Sequence, residues 1–327
     1  MKRLSIEALL ALAGGLLIFS VQAQTISSHN LSGADVDRMM KELSNWGRWG
    51  KSDELGTVNL ITPAKRKSAA ALVTEGVAVS LSRDTDARKT IDNQAPFVHK
   101  MSVAVDGQFN MDDDSIFFHG FGHTHFDALS HVFYKGQMYN GIPQTAAQSA
   151  GMTALAVTAY KNGIFTRGVL IDIPRLRNVP YLDTDAVIYP EDLDAWEKKT
   201  GIHIQGGDAV FVRTGRWARR AAKGPWDIGS HSAGLHASCA RWFRQRDIAL
   251  LGGDTANDAI PSGVQGASFP LHTLLLVAMG TPMFDQCDLE ELSKAAAARN
   301  RWTFLLTAAP LRVSGGTGSL ANPIAVF

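Results

Sequence analysis

The stretch RGVLIDI (167–173) most narrows the folds open to this chain. Val169, Leu170 and Ile171 follow one another with none of the polar alternation of a half-exposed strand. A strand without a solvent side has to be covered on both faces. Two more segments repeat the demand. AVFVR follows a Gly206-Gly207-Asp208 turn, and IALLGGD spans 248–254. Each comes after a helix-like segment. YPEDLDAWEKKTG has proline at its start and Gly201 at its end, and HASCARWFRQRD spans 236–247. Strand and helix patterns continue along the chain. SGADVDRMMKELSNW puts Val36, Met39, Met40 and Leu43 at helical spacing, and Thr62-Pro63 opens a helix that Gly76 closes. VAVSLSR (77–83), HKMSVAV (99–105) and WTFLLTAAP (302–310) read as strands, LHTLLLVAMG and DLEELSKAAAARN as helices. No proline- or serine-rich linker divides them. The expectation is one α/β domain over 24–327 with long excursions.

The first residues, MKRLSIEALLALAGGLLIFSVQAQ, have two basic residues, an apolar run and a small-residue end. That is the layout of a secretory signal over 1–23, cut after Ala23. Gly14 and Gly15 interrupt a run too short for a membrane anchor. The mature chain is therefore expected in an exported location, periplasmic or secreted. The whole chain has 32 basic and 31 acidic residues, and removing Lys2, Arg3 and Glu7 makes the two equal. A balanced chain without a basic run argues against nucleic acid and membrane surfaces as partners. The two cysteines, Cys239 and Cys287, lie in half-apolar helical contexts and read as buried free thiols. Two cysteines cannot make a cysteine-rich zinc site, so any metal has to be held by nitrogen and oxygen.

Chemistry concentrates in FFHGFGHTHFDALSHVFYKG (117–136). Four of the ten histidines, His119, His123, His125 and His131, fall within thirteen residues together with Asp127. All five positions are odd, and in an extended strand odd positions share a face. Phe118, Gly120, Gly122, Thr124 and Phe126 then form a small or apolar inner side. Imidazole and carboxylate together suit zinc, manganese or iron. Asp127 could instead cap a helix beginning at DALSHVF. His131, beyond the turn, either ligates or moves a proton beside the metal. Other signals are weaker. SGGTGS (314–319) lacks the ending of a phosphate loop and reads as a turn. Trp46, Trp49 and Tyr139 either line a pocket or pack at the surface, and His231 and His236 precede a helix.

THFDALSH resembles the core of the cyclase family of metal-dependent hydrolases, which includes bacterial kynurenine formamidase and isatin hydrolase. Thr124, His125, Asp127 and His131 match the pattern H-x-G-T-H-x-D-x-x-x-H in register. The likeness extends through NWGRWGKSDELGTVNLITP, FYKGQMYNG, GGDAVFVRTGRW, GLHASCARWFRQRDIALLGGD and APLRVSGGTGSLANPIAVF. The pattern's first histidine falls on Phe121 here. His119 lies eight residues before Asp127 and His123 four before, and a two-residue bulge would let His119 serve. His119 is preferred, with His123 as the alternative.

The resemblance implies a swivelling β/β/α fold, a central mixed β-sheet or barrel surrounded by helices. It also implies a later histidine and acid, which PLHTLLLVAMGTPMFDQCDLEEL places at His272 and Asp285. Asp285 stands where many members have glutamate. The expected metal ligands are thus His119, His125, Asp127, His272 and Asp285, holding one or two Zn2+ or Mn2+ ions, with His131 catalytic. The expected reaction is hydrolysis of a non-peptide carbon–nitrogen bond in a formamide or cyclic amide. Lactone hydrolysis is the runner-up, because the same activated water attacks either carbonyl. A non-catalytic exported small-molecule or metal-binding protein is the alternative of another class. His131 speaks for an enzyme, since binding alone has less need of a general acid. A small-molecule substrate and a homo-oligomeric assembly complete the expectation.

Overall fold

A computed structural model describes residues 29–327. The export signal expected over 1–23 lies outside the described residues. The principal strands are β1 (Ala78–Ser80), β2 (Val98–Val105), β3 (Phe109–Ser115), β4 (His125–Asp127), β5 (Ile164–Asp172) and β6 (Ala209–Arg213). They continue as β7 (Leu250–Gly253), β8 (Met283–Asp285), β9 (Thr303–Ala308), β10 (Gly318–Leu320) and β11 (Ile324–Val326). The helices are α1 (Gly33–Glu42), α2 (Pro63–Ala70), α3 (Ile173–Arg177), α4 (Pro190–Thr200), α5 (Arg216–Lys223), α6 (Cys239–Arg246), α7 (Pro270–His272) and α8 (Glu290–Ala298). A π-helix, Thr273–Met279, continues α7.

Nine strands form one mixed sheet in the order β1-β11-β9-β5-β6-β7-β8-β4-β10. The centre, β5 through β8, is parallel, as buried apolar strands following helices require. The flanking pairs are antiparallel. Every residue of β6 and β7 is buried, as the apolar runs at 209–212 and 250–253 foretold, and Arg213 at the end of β6 is buried with them. On one side Trp196 of α4 donates from Nε1 to the Leu170 carbonyl at 2.9 Å and packs edge-on against Trp302. Burying a side chain of this size contributes roughly 1.5–3 kcal/mol.

Three local readings change. Thr62 caps α2 as its sequence predicts, but the helix ends at Ala70, well before Gly76. LHTLLLVAMG is helical with a widened π turn, closed by Gly280 in the left-handed conformation. HKMSVAV is a strand, yet it lies outside the main sheet and pairs with the acidic FNMDDDS to make a separate hairpin, β2–β3.

What positions the site is β4. It lies between β8 and β10, antiparallel to both, with Asp285 opposite His125 and Gly318 opposite Asp127. Alternation sends Phe126 the other way, into the core. There its ring meets Phe284 and Tyr160 edge-on, with centroids 5.0 and 4.9 Å apart. His125, Asp127 and Asp285 thus share a face because Phe126 and Phe284 fill the opposite one.

Candidate metal centre

The odd-numbered alternation holds over β4 and fails before it. Residues 116–124 form a loop, so the continuous strand, and the bulge that would have let His119 serve, are both absent. His119 reaches the site by folding back over β4. Its Nδ1 lies 3.0 Å from Asp127 Oδ1, and its Nε2 is 2.8 Å from Thr317 Oγ1. Gly318 makes room for this approach. A Cβ there would sit 2.2 Å from the Phe126 carbonyl oxygen and 3.1 Å from the His119 ring. The SGGTGS segment therefore contributes a partner and a clearance to the site as well as a turn.

His131 follows a tight turn and stacks flat on His119, with ring centroids 3.9 Å apart. His125 meets His119 edge-on at 5.5 Å, and its Nε2 lies 3.7 Å from Asp127 Oδ1. From the other side His272 brings Nε2 to 3.8 Å from Asp127 Oδ2 and 3.4 Å from Asp285 Oδ2. His119, His125, His131, His272, Asp127 and Asp285 thus converge. His123 does not join them: its Nε2 accepts a 3.3 Å hydrogen bond from the Asp86 amide.

Asp127 is the centre of the cluster. It is fully buried, and neither carboxylate oxygen accepts a well-aligned hydrogen bond, the nearest nitrogen being His119 Nδ1 at 3.0 Å from Oδ1. No helix follows it, so the capping reading is excluded. A buried carboxylate without well-aligned donors is costly unless a cation satisfies it. Two sets of donor atoms, His119–Asp127–His131 and His125–Asp127–Asp285, each lie within 4.8 Å of one another. An orphaned carboxylate shared by two nitrogen–oxygen sets fits a divalent ion, and its two oxygens could serve two. Neither cysteine belongs to these sets, and both are buried and free.

The electrostatics agree. Burial resists the ionisation of Asp127, but His131, His125 and His119 outweigh it and hold the carboxyl below the usual range. Burial also acts first on His131, and with His119, His272 and His125 it outweighs Asp127 and brings the imidazole down to about 4. His272 goes the other way. Burial opposes its charge, but Asp285 and Asp258 prevail and raise its pKa well above the ordinary value.

Several supporting residues were not visible in the sequence. Asp258 Oδ2 lies 2.6 Å from His272 Nδ1, which leaves Nε2 facing Asp127 and Asp285. Asn257 donates to Asp285 Oδ1 at 2.7 Å. Both follow the carboxyl end of β7, where open α/β sheets place ligand sites, and that position was the available clue. Arg216 is buried beneath the cluster, donating to the Phe121 carbonyl at 2.5 Å and to Gln286 Oε1. It ties the His119 loop to the residue after Asp285. Asp254 accepts from the amides of Thr214, Gly215 and Arg216, which fixes the start of α5 and so this arginine. Partners of metal-binding histidines typically change affinity about 10–100-fold. Asp258→Asn should therefore weaken metal binding by that factor with the fold intact, as titration calorimetry and circular dichroism would read. Unchanged affinity would make Asp258 a packing residue.

The cluster opens on a cavity of about 280 Å³ with Phe121, Val132, Ala256 and Phe269 in its wall. A larger groove of about 720 Å³ lies elsewhere, and its Arg213 is already paired with Asp172 and Glu290. Trp46, Trp49, Tyr139, His231 and His236 line no part of the cluster's cavity.

The family model for Cyclase matches residues 56–258. The chain is 31% identical to a crystal structure described as a novel cyclase, covering 87% of this chain and 100% of that one at a TM-score of 0.78. Isatin hydrolase A from Ralstonia solanacearum shares the fold at 21% identity, with 81% and 98% of the two chains covered and a TM-score of 0.58. The enzyme of the same name from Labrenzia aggregata, bound to benzyl benzoate, gives 21% identity, 79% and 94% coverage and 0.57. No curated protein matches the chain. Sequence match, fold and coverage agree: the chain belongs to the Cyclase family.

Proposed function

We propose that this chain is a metal-dependent hydrolase that cleaves a carbon–nitrogen bond other than a peptide bond, in a formamide or a cyclic amide. The observation that carries the reading is Asp127, a buried carboxylate with both oxygens unsatisfied inside a ring of imidazoles. His119, His125, Asp127, His272 and Asp285 would hold the ion, zinc or manganese by donor type. When bound, such an ion supplies water activation near neutral pH and polarisation of the substrate carbonyl.

The chain's own residues do the rest. Phe121, Val132, Ala256 and Phe269 present apolar walls to a small acyl compound, and a cavity of about 280 Å³ suits one far better than a polypeptide. Asp258 keeps His272 in one tautomer, with Nε2 turned inward. His131 would take up a proton from the attacking water on its imidazole and return it to the departing nitrogen, so the amine leaves neutral. Its stack on His119 fixes the ring plane for both transfers. The export signal and a homo-oligomeric assembly belong to the same proposal, with a small molecule as the substrate.

A panel of aryl formamides, lactams and lactones offered to protein loaded with a defined metal tests the reaction class. Turnover of formamides or lactams above the lactones is expected. Lactone turnover alone would replace the bond assignment, and binding without turnover would make the chain a binder.

A further inference from the structure

We propose that Thr317 is a positioning residue for His119: its hydroxyl accepts the Nε2 proton in a hydrogen bond and leaves Nδ1 as the nitrogen this histidine turns to the ion. The inference rests on the reading of the cluster as a divalent-ion site and adds to it one residue and one atom assignment. His119 is where this chain departs from the family pattern, whose first histidine falls on Phe121 here. A ring that arrives from a loop needs something other than a strand to orient it.

The two nitrogens of the ring have different surroundings. Nε2 lies 2.8 Å from Thr317 Oγ1. Nδ1 lies 3.0 Å from Asp127 Oδ1, yet the pair is not well aligned as a hydrogen bond, and both atoms are buried. Two ligand atoms about 2.1 Å from one ion stand roughly 3.0 Å apart at a right angle and roughly 3.4 Å apart at a tetrahedral one. The spacing is that of neighbouring ligands. Turning the ring over would set carbon against both Thr317 Oγ1 and Asp127, so both oxygens favour the ring as it stands. His119 thus presents the opposite nitrogen from its neighbours. His125 and His272 have Nδ1 occupied, by the His123 carbonyl at 2.8 Å and by Asp258 at 2.6 Å, and bring Nε2 toward Asp127.

Thr317 is itself held in place. The carbonyls of Gly315 and Gly316 accept from the Met152 and Val157 amides at 2.8 Å each, and the Thr317 carbonyl accepts from the Ala128 amide at 2.9 Å. Gly318 next to it stands opposite Asp127 in the sheet. The hydroxyl therefore keeps a fixed place relative to the carboxylate. A hydroxyl both donates and accepts, so it stays paired with Nε2 whether Nδ1 carries a proton or an ion.

Zinc affinity of chelator-stripped protein, measured by competition with a chromophoric chelator, tests this without any substrate. Heteronuclear NMR of the histidine rings in zinc-loaded protein locates the His119 proton. Wild type should bind zinc and carry that proton on Nε2, protected from exchange. Thr317→Val keeps the shape without the hydroxyl. It should weaken binding about 10–100-fold and lose the protection, with an unchanged circular dichroism spectrum. Thr317→Ser restores the hydroxyl and should bind within about threefold of wild type with the proton still protected. Wild-type affinity in Thr317→Val, a serine variant as weak as the valine one, or a His119 proton on Nδ1 in the loaded protein overturns the proposal. A wild type that binds no zinc overturns the ion site itself, and the proposal with it.

Discussion

Asp127→Asn is expected to empty the centre and abolish turnover. The substitution keeps the shape of the side chain and removes the charge that three imidazoles hold ionised. An amide offers one neutral acceptor oxygen where the carboxylate offers two charged ones, and those two oxygens face opposite sides of the cluster. Metal assistance contributes several kcal/mol to a hydrolytic barrier, so activity should fall at least about 10³-fold. His119→Ala should lower metal content in the same way, because His119 is the ring folded over Asp127. His123→Ala should leave metal content as it was, since His123 faces Asp86 instead. Elemental analysis of the three variants, purified alike, decides the matter. A metal-replete Asp127→Asn, or a larger loss in His123→Ala than in His119→Ala, would overturn the assignment.

Changing His131 to Ala should separate the metal from the chemistry. His131 shares its face with His119 and Asp127, so geometry alone also admits it as a ligand. A proton-transfer role predicts retained metal with a turnover loss of about 10²–10⁴-fold. The loss should depend on the leaving group. An amide nitrogen departs only when protonated, so formamide hydrolysis should suffer the full effect. An ester of an acidic phenol needs little protonation and should suffer much less. Metal and both activities falling together would make His131 a ligand. Undiminished formamide turnover would remove it from the reaction.

The parts of this site legible in the sequence were those carried by period-two alternation. The alternation of His125, Phe126 and Asp127 holds because β4 is extended there and Phe126 has a core to enter. The same alternation misled at His119, where a loop replaces the strand and the ring arrives by folding back across Gly318. His272 and Asp285 came from family resemblance. That Asp285 stands opposite His125 is a matter of strand register, which no local pattern encodes. Asp258, Asn257 and Arg216 were out of reach for a related reason: each acts through a partner distant in sequence. The centre of the sheet was legible because residues 209–212 of β6 and the whole of β7 carry no polar side chain. The hairpin was only half legible, because FNMDDDS is too polar to announce a strand and pairs outside the sheet.

The proposed hydrolysis depends on a divalent ion held by the His/Asp cluster. The most direct test is a titration of chelator-stripped protein with zinc or manganese, following binding and formamide or lactam hydrolysis in the same samples. Activity should rise from zero in step with bound metal and level off at one or two ions per chain. Hydrolysis that persists in stripped protein, or no binding tighter than about 10 μM, where the binding free energy is only roughly 7 kcal/mol, would contradict it.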